Sequence, residues 1–348
     1  MIRRELGNSG ILVPPMTVGC WAFGGGAYWG AQPQKDVDQV VAAAIDLGLN
    51  CFDTAEMYND GASETSLGAA LKGRRHETVI ITKIKPSNCI DVRKWLEQSL
   101  LRLQTDYVDN YMLHWPINAA SMKQYTSDPA ILADPPTIGD ALHQMDALKK
   151  EGKIRSIGLS NFGVKQMEEA LGFGVRIDTN EICYNILSRA IESKIVPFCH
   201  EHGLSIIGTM GLQQGLLADL FKTASDVPAH QARSRHFADA RSGGMSRHGG
   251  AGFEKEVFAL LDTLRSIANK LGLQMAQLSI AWILSKPFIL STLIGSRSLA
   301  EMEANAKACD FTLPEDVTAE IDAASLPLFK LIGDNPDLYE SDQNSRIY

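Results

Sequence analysis

Short apolar runs recur along the chain, and most are followed by a segment with helical spacing. The first run is Met16-Thr17-Val18-Gly19-Cys20-Trp21. The others are residues 49–53, 79–84, 107–114, 154–159, 178–184, 204–208 and 289–294. Between the first two, residues 35–47 place Val37, Val40, Val41, Ala44 and Ile45 on one face, and Gly48 suits a C-cap. Helical patterns also cover residues 63–72 (capped by Ser63), 91–103, 137–150, 163–171, 193–202, 254–271, 275–284 and 301–307. Runs without polar alternation suit parallel strands buried on both faces. Repeated strand–helix units either close into a barrel or open into a doubly wound sheet. The glycine-rich stretch 23–30 does not complete G-x-G-x-x-G, because Trp29 takes the last glycine position. The pattern therefore predicts an α/β fold, a (β/α)8 TIM barrel forming a single domain over residues 1–348.

Three segments fall outside the repeat. Residues 2–15 carry turn residues between short extended pieces and predict an N-terminal hairpin. Residues 115–136 and 213–252 are long loops, which a barrel places on its C-terminal face, where barrel enzymes keep their active sites. The tail 327–348 is polar and aromatic, and is expected to fold over the pocket mouth.

Composition narrows the class. Of 348 residues, 45% are hydrophobic and 21% charged, and the formal charge is -8. That balance argues against a nucleic-acid partner, which calls for a basic face. No stretch nears the ~18 apolar residues of a membrane span. The start lacks the apolar core of a signal peptide. The six cysteines form no C-x-x-C pair, as expected of buried thiols in a cytoplasmic protein. His200-Glu201-His202 lacks the spacing of a metal motif, so no metal is expected.

The strand ends carry the candidate chemistry. Asp53, Lys83 and His114 end the second, third and fourth runs, and Tyr58 lies in the loop after the second. Neighbouring strands lie about 5 Å apart, so a barrel would converge these side chains on one rim. A tyrosine ionises near pH ~10, and a nearby ammonium lowers that value. Asp53 would keep Lys83 charged and fixed, and His114 would donate to a substrate oxygen or hand on a proton. The set suits carbonyl reduction, with Tyr58 protonating the oxygen as hydride reaches the carbon. The hydride calls for a nicotinamide cofactor. Each residue singly has an ordinary structural role; their conjunction at successive strand ends does not.

Over nearly its whole length the chain resembles the aldo-keto reductase family. The motifs are Asp53-Thr54-Ala55-Glu56-Met57-Tyr58 with Gly61-Ala62-Ser63-Glu64, Ile80-Ile81-Thr82-Lys83, residues 106–116 ending in His114-Trp115-Pro116, residues 152–162 containing Ser160-Asn161, and Gly295-Ser296-Arg297. The resemblance implies the barrel, the tetrad Asp53, Tyr58, Lys83 and His114, and NAD(P)H extended across the C-terminal face. Ser160 and Asn161 match the pair that holds the carboxamide. Glu181 stands where the family often has a glutamine in that role, and an ionised Glu does not donate as an amide does. Thr209 stands where a nicotinamide-stacking aromatic is common, so the ring is held by other contacts, with Trp21 as the candidate, or less firmly. Leu212, Gly215 and Leu217 match the pyrophosphate loop. At the adenosine end, Ser296 and Arg297 suit a 2′-phosphate. Glu301 would repel the phosphate and accept from a free ribose hydroxyl; Asn305 matches an adenine contact. NADP(H) is slightly favoured and NAD(H) tolerated. Trp21, Tyr28, Trp29, Tyr58, His114 and Trp115 would line the mouth for a small-molecule carbonyl substrate, with a sugar-like aldehyde in view. Arg233, Arg235 and His236 form a basic cluster that would clamp phosphate or an oxygen-rich substrate. Two other readings stay open: a nicotinamide-sensing barrel with little turnover, and a sugar isomerase or aldolase, for which Lys83 is the only Schiff-base candidate. The oligomeric state is not legible.

Overall fold

Alternation along each strand decides what faces inward. In the computed structural model, which describes residues 2–348, the eight runs are β1 (Met16–Gly19), β2 (Cys51–Asp53), β3 (Val79–Ile84), β4 (Val108–Leu113), β5 (Ile154–Ser160), β6 (Thr179–Cys183), β7 (Ser205–Thr209) and β8 (Ile289–Gly295). Each pairs in parallel with the next and β8 returns to β1, which closes the barrel and removes the open-sheet alternative. One set of strand residues (Phe52, Ile80, Tyr111, Ile157, Ile182, Ile206) joins the core under the surrounding helices. The other set (Cys51, Val79, Ile81, Met112, Ile207) packs inside the barrel. This two-sided burial is why the runs read as continuously apolar.

The hairpin pairs Arg4–Glu5 with Leu12–Val13 and seals the N-terminal end of the barrel. Leu6, Ile11 and Val13 pack on the inward strand residues. The Gly7 N–H donates to the Ser205 hydroxyl at 2.9 Å. Gly7 has φ +58°, and a Cβ there would lie 2.6 Å from the Asp178 carbonyl oxygen, so only glycine fits.

Most helices fall where the pattern places them, with three differences. The helix Ala62–Ala70 has Gly61 before it, and Ser63 is not its cap. The Ser63 hydroxyl instead donates to the Cys20 carbonyl at 2.7 Å and meets Thr54 at 2.8 Å. The segment 115–136 contains two short helices, Ala119–Tyr125 and Pro129–Ala133. A long helix, Glu315–Ile332, runs through Pro327. The tail therefore starts at Gly333 rather than at Pro327: one missing N–H did not outweigh the packing of Ile321, Leu328 and Ile332.

Beyond Gly333 the tail is pinned by polar contacts. The Arg346 guanidinium pairs with Asp337 at 2.7 Å and lies 3.7 Å over the Trp115 ring. The Arg346 carbonyl accepts from Asn118 at 3.0 Å and from Gln166 at 2.7 Å. Glu340 pairs with Arg247 of the long loop. Since Trp115 follows His114, these contacts put the tail on the C-terminal face. Among the described residues no helix is long and apolar enough to cross a membrane.

Candidate active site

At the C-terminal rim the inward column changes from mostly apolar to polar and mostly ionisable. Two residues above Cys51, Ile81, Met112, Gly158 and Thr179 stand Asp53, Lys83, His114, Ser160 and Glu181. Lys83 is fully buried, and Asp53 and Glu181 are 1% and 2% exposed. The Lys83 ammonium lies 2.5 Å from Asp53 Oδ2, 3.1 Å from the Thr54 carbonyl and 3.3 Å from Glu181 Oε1. Burial works against the charge on Lys83, but Asp53, Glu181 and Tyr58 more than offset it, so the ammonium is held above its ordinary range.

Lys83 Nζ also sits 5.4 Å from the centre of the Tyr58 ring. The structure thus brings Asp53, Tyr58, Lys83 and His114 together. One expectation changes sign. Lys83 does lower the Tyr58 phenol, but burial is the larger effect, and Asp53 and Glu181 add to it. The resting phenol is therefore raised, and stays protonated at neutral pH. His114 stands edge-on to Tyr58, with ring centres 5.6 Å apart. Burial, and then Lys83, push its imidazole well below the ordinary range, so it is neutral.

Left-handed backbone residues hold the rim in shape. Asn161 (φ +63°) donates from its amide to the His114 carbonyl at 3.2 Å and to Ser160 at 3.0 Å, and its N–H donates to the Glu181 carbonyl at 2.8 Å. It ties the ends of β4, β5 and β6. Asn59 (φ +51°) donates to the Trp21 and Phe23 carbonyls at 2.9 and 3.0 Å, locking the Tyr58 loop to the glycine-rich loop. A Cβ on Gly26 would come within 2.2 Å of the Asn59 side chain. Asn59 was missed by sequence reasoning; its one signal is that Asn tolerates the left-handed region in tight turns.

Aromatic side chains line one wall. Trp21 stacks on Tyr58 at 5.8 Å and on Tyr28 at 4.8 Å, with Trp29 edge-on at 5.3 Å. Trp115 lies under Arg346. Of the basic cluster, only Arg233 reaches this wall, 5.3 Å over Tyr28 and 5.7 Å over Tyr339. Arg235 and His236 are not a clamp. Arg235 donates to the carbonyls of Ile332 and Asn335, and fully buried His236 lies 2.9 Å from the Leu187 carbonyl and 3.0 Å from Ser234, so both anchor the loop.

The residues matched to the rest of the cofactor lie after β7 and β8. Gly215 (φ +99°) and Leu217 donate their N–H groups to the Leu212 carbonyl, and the Leu217 side chain is in the core. Ser296 accepts from Asn305 at 3.1 Å. Arg297 reaches Gln32 at 2.9 Å and the Ala31 carbonyl at 2.7 Å, and its N–H donates to Glu301 at 2.7 Å. Within and beside these two groups, Glu181 Oε2, His114 Nδ1 and Trp29 Nε1 are buried without partners among the described residues, and Tyr28 Oη faces Arg233 and Gln214. Orphaned polar atoms spread over one face fit an extended ligand rich in polar groups, as a dinucleotide is.

The profile described as the Aldo/keto reductase family matches residues 15–326. The NADH-specific methylglyoxal reductase of Escherichia coli is 28% identical, with 90% of this chain and 95% of that protein covered. A probable voltage-gated potassium channel subunit beta from Arabidopsis thaliana is 27% identical, over 89% of this chain and 92% of its own. Among solved structures, an aldo-keto reductase from Klebsiella pneumoniae in complex with NADPH superposes with a TM-score of 0.68 and is 27% identical, covering 93% of this chain and 95% of that one. With the profile spanning most of the barrel, the chain belongs to the aldo/keto reductase family and is an NAD(P)H-dependent oxidoreductase of carbonyl compounds.

Proposed function

We propose that this enzyme reduces an aldehyde or ketone, with sugar-like aldehydes as its substrate class, and that Tyr58 is the general acid. The observation that carries the reading is the buried Lys83 ammonium, 2.5 Å from Asp53 and beside the Tyr58 ring, with neutral His114 edge-on. The bound reduced nicotinamide supplies the hydride. Tyr58 gives its hydroxyl proton to the carbonyl oxygen. Lys83 stabilises the phenolate left behind, and Asp53 holds Lys83 in place. Neutral His114 has one N–H to offer the substrate oxygen and orients it. Ser160 and Asn161 hold the carboxamide, while Ser296, Arg297 and Asn305 take the adenosine end. Glu301 already accepts from the Arg297 N–H, and its carboxylate tempers affinity for a 2′-phosphate. NADPH is slightly favoured and NADH accepted, in line with the NADPH complex of one relative and the NADH-specific name of another. Aromatic walls beside orphaned polar groups suit a hydroxylated substrate. The six unpaired cysteines suit a reducing, cytoplasmic setting.

Tyr58→Phe tests the acid. Turnover of a sugar-aldehyde panel with both cofactors should fall by about 10²–10⁴ in kcat, while the cofactor dissociation constant stays unchanged. Equal rates overturn the assignment. The likeness to a potassium channel subunit keeps a second reading in play, a nicotinamide sensor. Tight cofactor binding with no turnover of any carbonyl by the wild type would favour it.

A further inference from the structure

Two carboxylates share one ammonium at the centre of the site. Asp53 takes the short contact to Lys83, at 2.5 Å, and Glu181 the longer one, at 3.3 Å. The second Glu181 oxygen, Oε2, is buried and, among the described residues, has no donor to accept from; the Asp53 carboxyl is its neighbour. Among the described residues no second cation faces it. The groups around it are Asp53 from β2, Lys83 from β3, Tyr58 above and Cys51 below. The Asn161 N–H goes to the main-chain oxygen of Glu181, not to its carboxylate. A buried carboxylate with one bare oxygen is costly, and of two carboxylates competing for one cation, one is left protonated.

We infer that Glu181 is held as a neutral carboxylic acid in the resting enzyme and offers its O–H as a hydrogen-bond donor to the nicotinamide carboxamide. The proton falls to Glu181 because Asp53 already holds the ammonium. Burial first, and Asp53 next, push the Glu181 carboxyl well above the ordinary range; Lys83 opposes them and does not prevail. The neutral acid has the donor that an ionised carboxylate lacks. Glu181 thereby does the work of an amide on this rim. The charge of the cluster also drops to zero, from one negative charge in a dry site. The inference rests on the proposed cofactor pose, in which the carboxamide lies at Ser160 and Asn161.

The test begins without cofactor. An infrared difference spectrum of wild type minus Glu181→Gln at neutral pH should show the carbonyl band of a protonated carboxylic acid, shifted in D2O. Protein labelled with ¹³C at its glutamate carboxyls should shift the same band, which separates Glu181 from Asp53. An absent band, or one that the label does not move, overturns the inference. Cofactor titration supplies the second arm. Wild type and Glu181→Gln should bind NADPH within about twofold at neutral pH, and the wild type should fall behind on the alkaline side as Glu181 ionises. Glu181→Ala, which lacks the donor, should bind about tenfold more weakly. A glutamine variant that binds far more tightly at every pH would mean that Glu181 is ionised, and would sink the idea. A wild type that binds neither cofactor defeats the proposed function and the donor role with it. The infrared band, read on the free enzyme, distinguishes that failure from an ionised Glu181.

Discussion

The two ends of the barrel use the same eight strands in opposite ways. At the N-terminal end, Leu6, Ile11 and Val13 of the hairpin close over Cys51, Val79 and Ile81. The acids near that end are fully partnered. Asp109 meets Arg75 at 2.8 Å and Arg155 at 2.6 Å, and Asp178 meets Arg176 at 3.0 Å and Ser156 at 3.0 Å. At the C-terminal end, about two strand residues or ~7 Å higher, the acids are left short. Glu181 and Glu56 each keep one buried oxygen without a partner. Left-handed Asn59, Asp60, Asn161, Met210, Gln213 and Gln214 cluster there as well. Unmet carboxylate oxygens and most of the left-handed non-glycine backbone gather at the end that handles ligand, whereas the acids of the other end are satisfied.

The largest way to break this contrast is Lys83→Met. It removes the cation that Asp53 and Glu181, two almost wholly buried groups, share. Unfolding free energy should drop by about 3–5 kcal/mol, and reductase activity should be lost along with it. Urea titration and a turnover assay on the same preparation check both. Wild-type stability in that variant would show that the rim carboxylates do not depend on Lys83.

The converse is Leu6→Ala. Leu6 is fully buried in the floor. The truncation should cost about 2–3 kcal/mol of stability and leave kcat/KM within about twofold of wild type, because the rim does not touch it. A large loss of kcat/KM at a temperature where the variant is folded would mean that the floor positions the site.

How much of this was legible follows from where each signal lives. The strands were legible because both faces are buried, which writes each as an unbroken apolar run. The tetrad was legible because its members end those runs, and closure of the barrel does the rest. Glu181 was placed by family resemblance as a carboxamide contact. Its approach to Lys83 depends on register, which sets Ser160 opposite Glu181, and no local pattern encodes that. The helix Glu315–Ile332 was hidden by Pro327, a residue that usually ends a helix. The anchoring of the tail by Arg346 on Asp337 and Trp115 joins residues far apart in sequence. The raised Tyr58 phenol is a burial effect, and burial is a property of the folded chain alone.

The smallest expected effect sharpens the contrast through Glu56, in the loop that leads to Tyr58. Its Oε1 accepts from the Lys85 N–H at 2.8 Å and from Asn88 at 2.9 Å, and its Oε2 is the orphan. Burial pushes the carboxyl up to about 7 from 4.5, against the pull of those two hydrogen bonds. Between the two values the folded chain holds a proton that the unfolded chain has released. The stability this group contributes is therefore fully present below pH 4.5, and is lost as pH rises through about 7. Glu56→Gln keeps the oxygen that accepts and removes the titration. Its unfolding free energy should run below that of the wild type on the acid side, gain about 3 kcal/mol on it as pH rises from 4.5 through 7, and end about 1 kcal/mol ahead on the alkaline side. Urea titrations across the pH range read the difference of slopes. Parallel curves would mean that Glu56 is ionised at no cost, and the orphan oxygen would then have to be solvated in the folded enzyme. The amide counterpart at Asp178, Asp178→Asn, offers no such gain, because the oxygens of Asp178 are all engaged and the change removes partners instead of a burden.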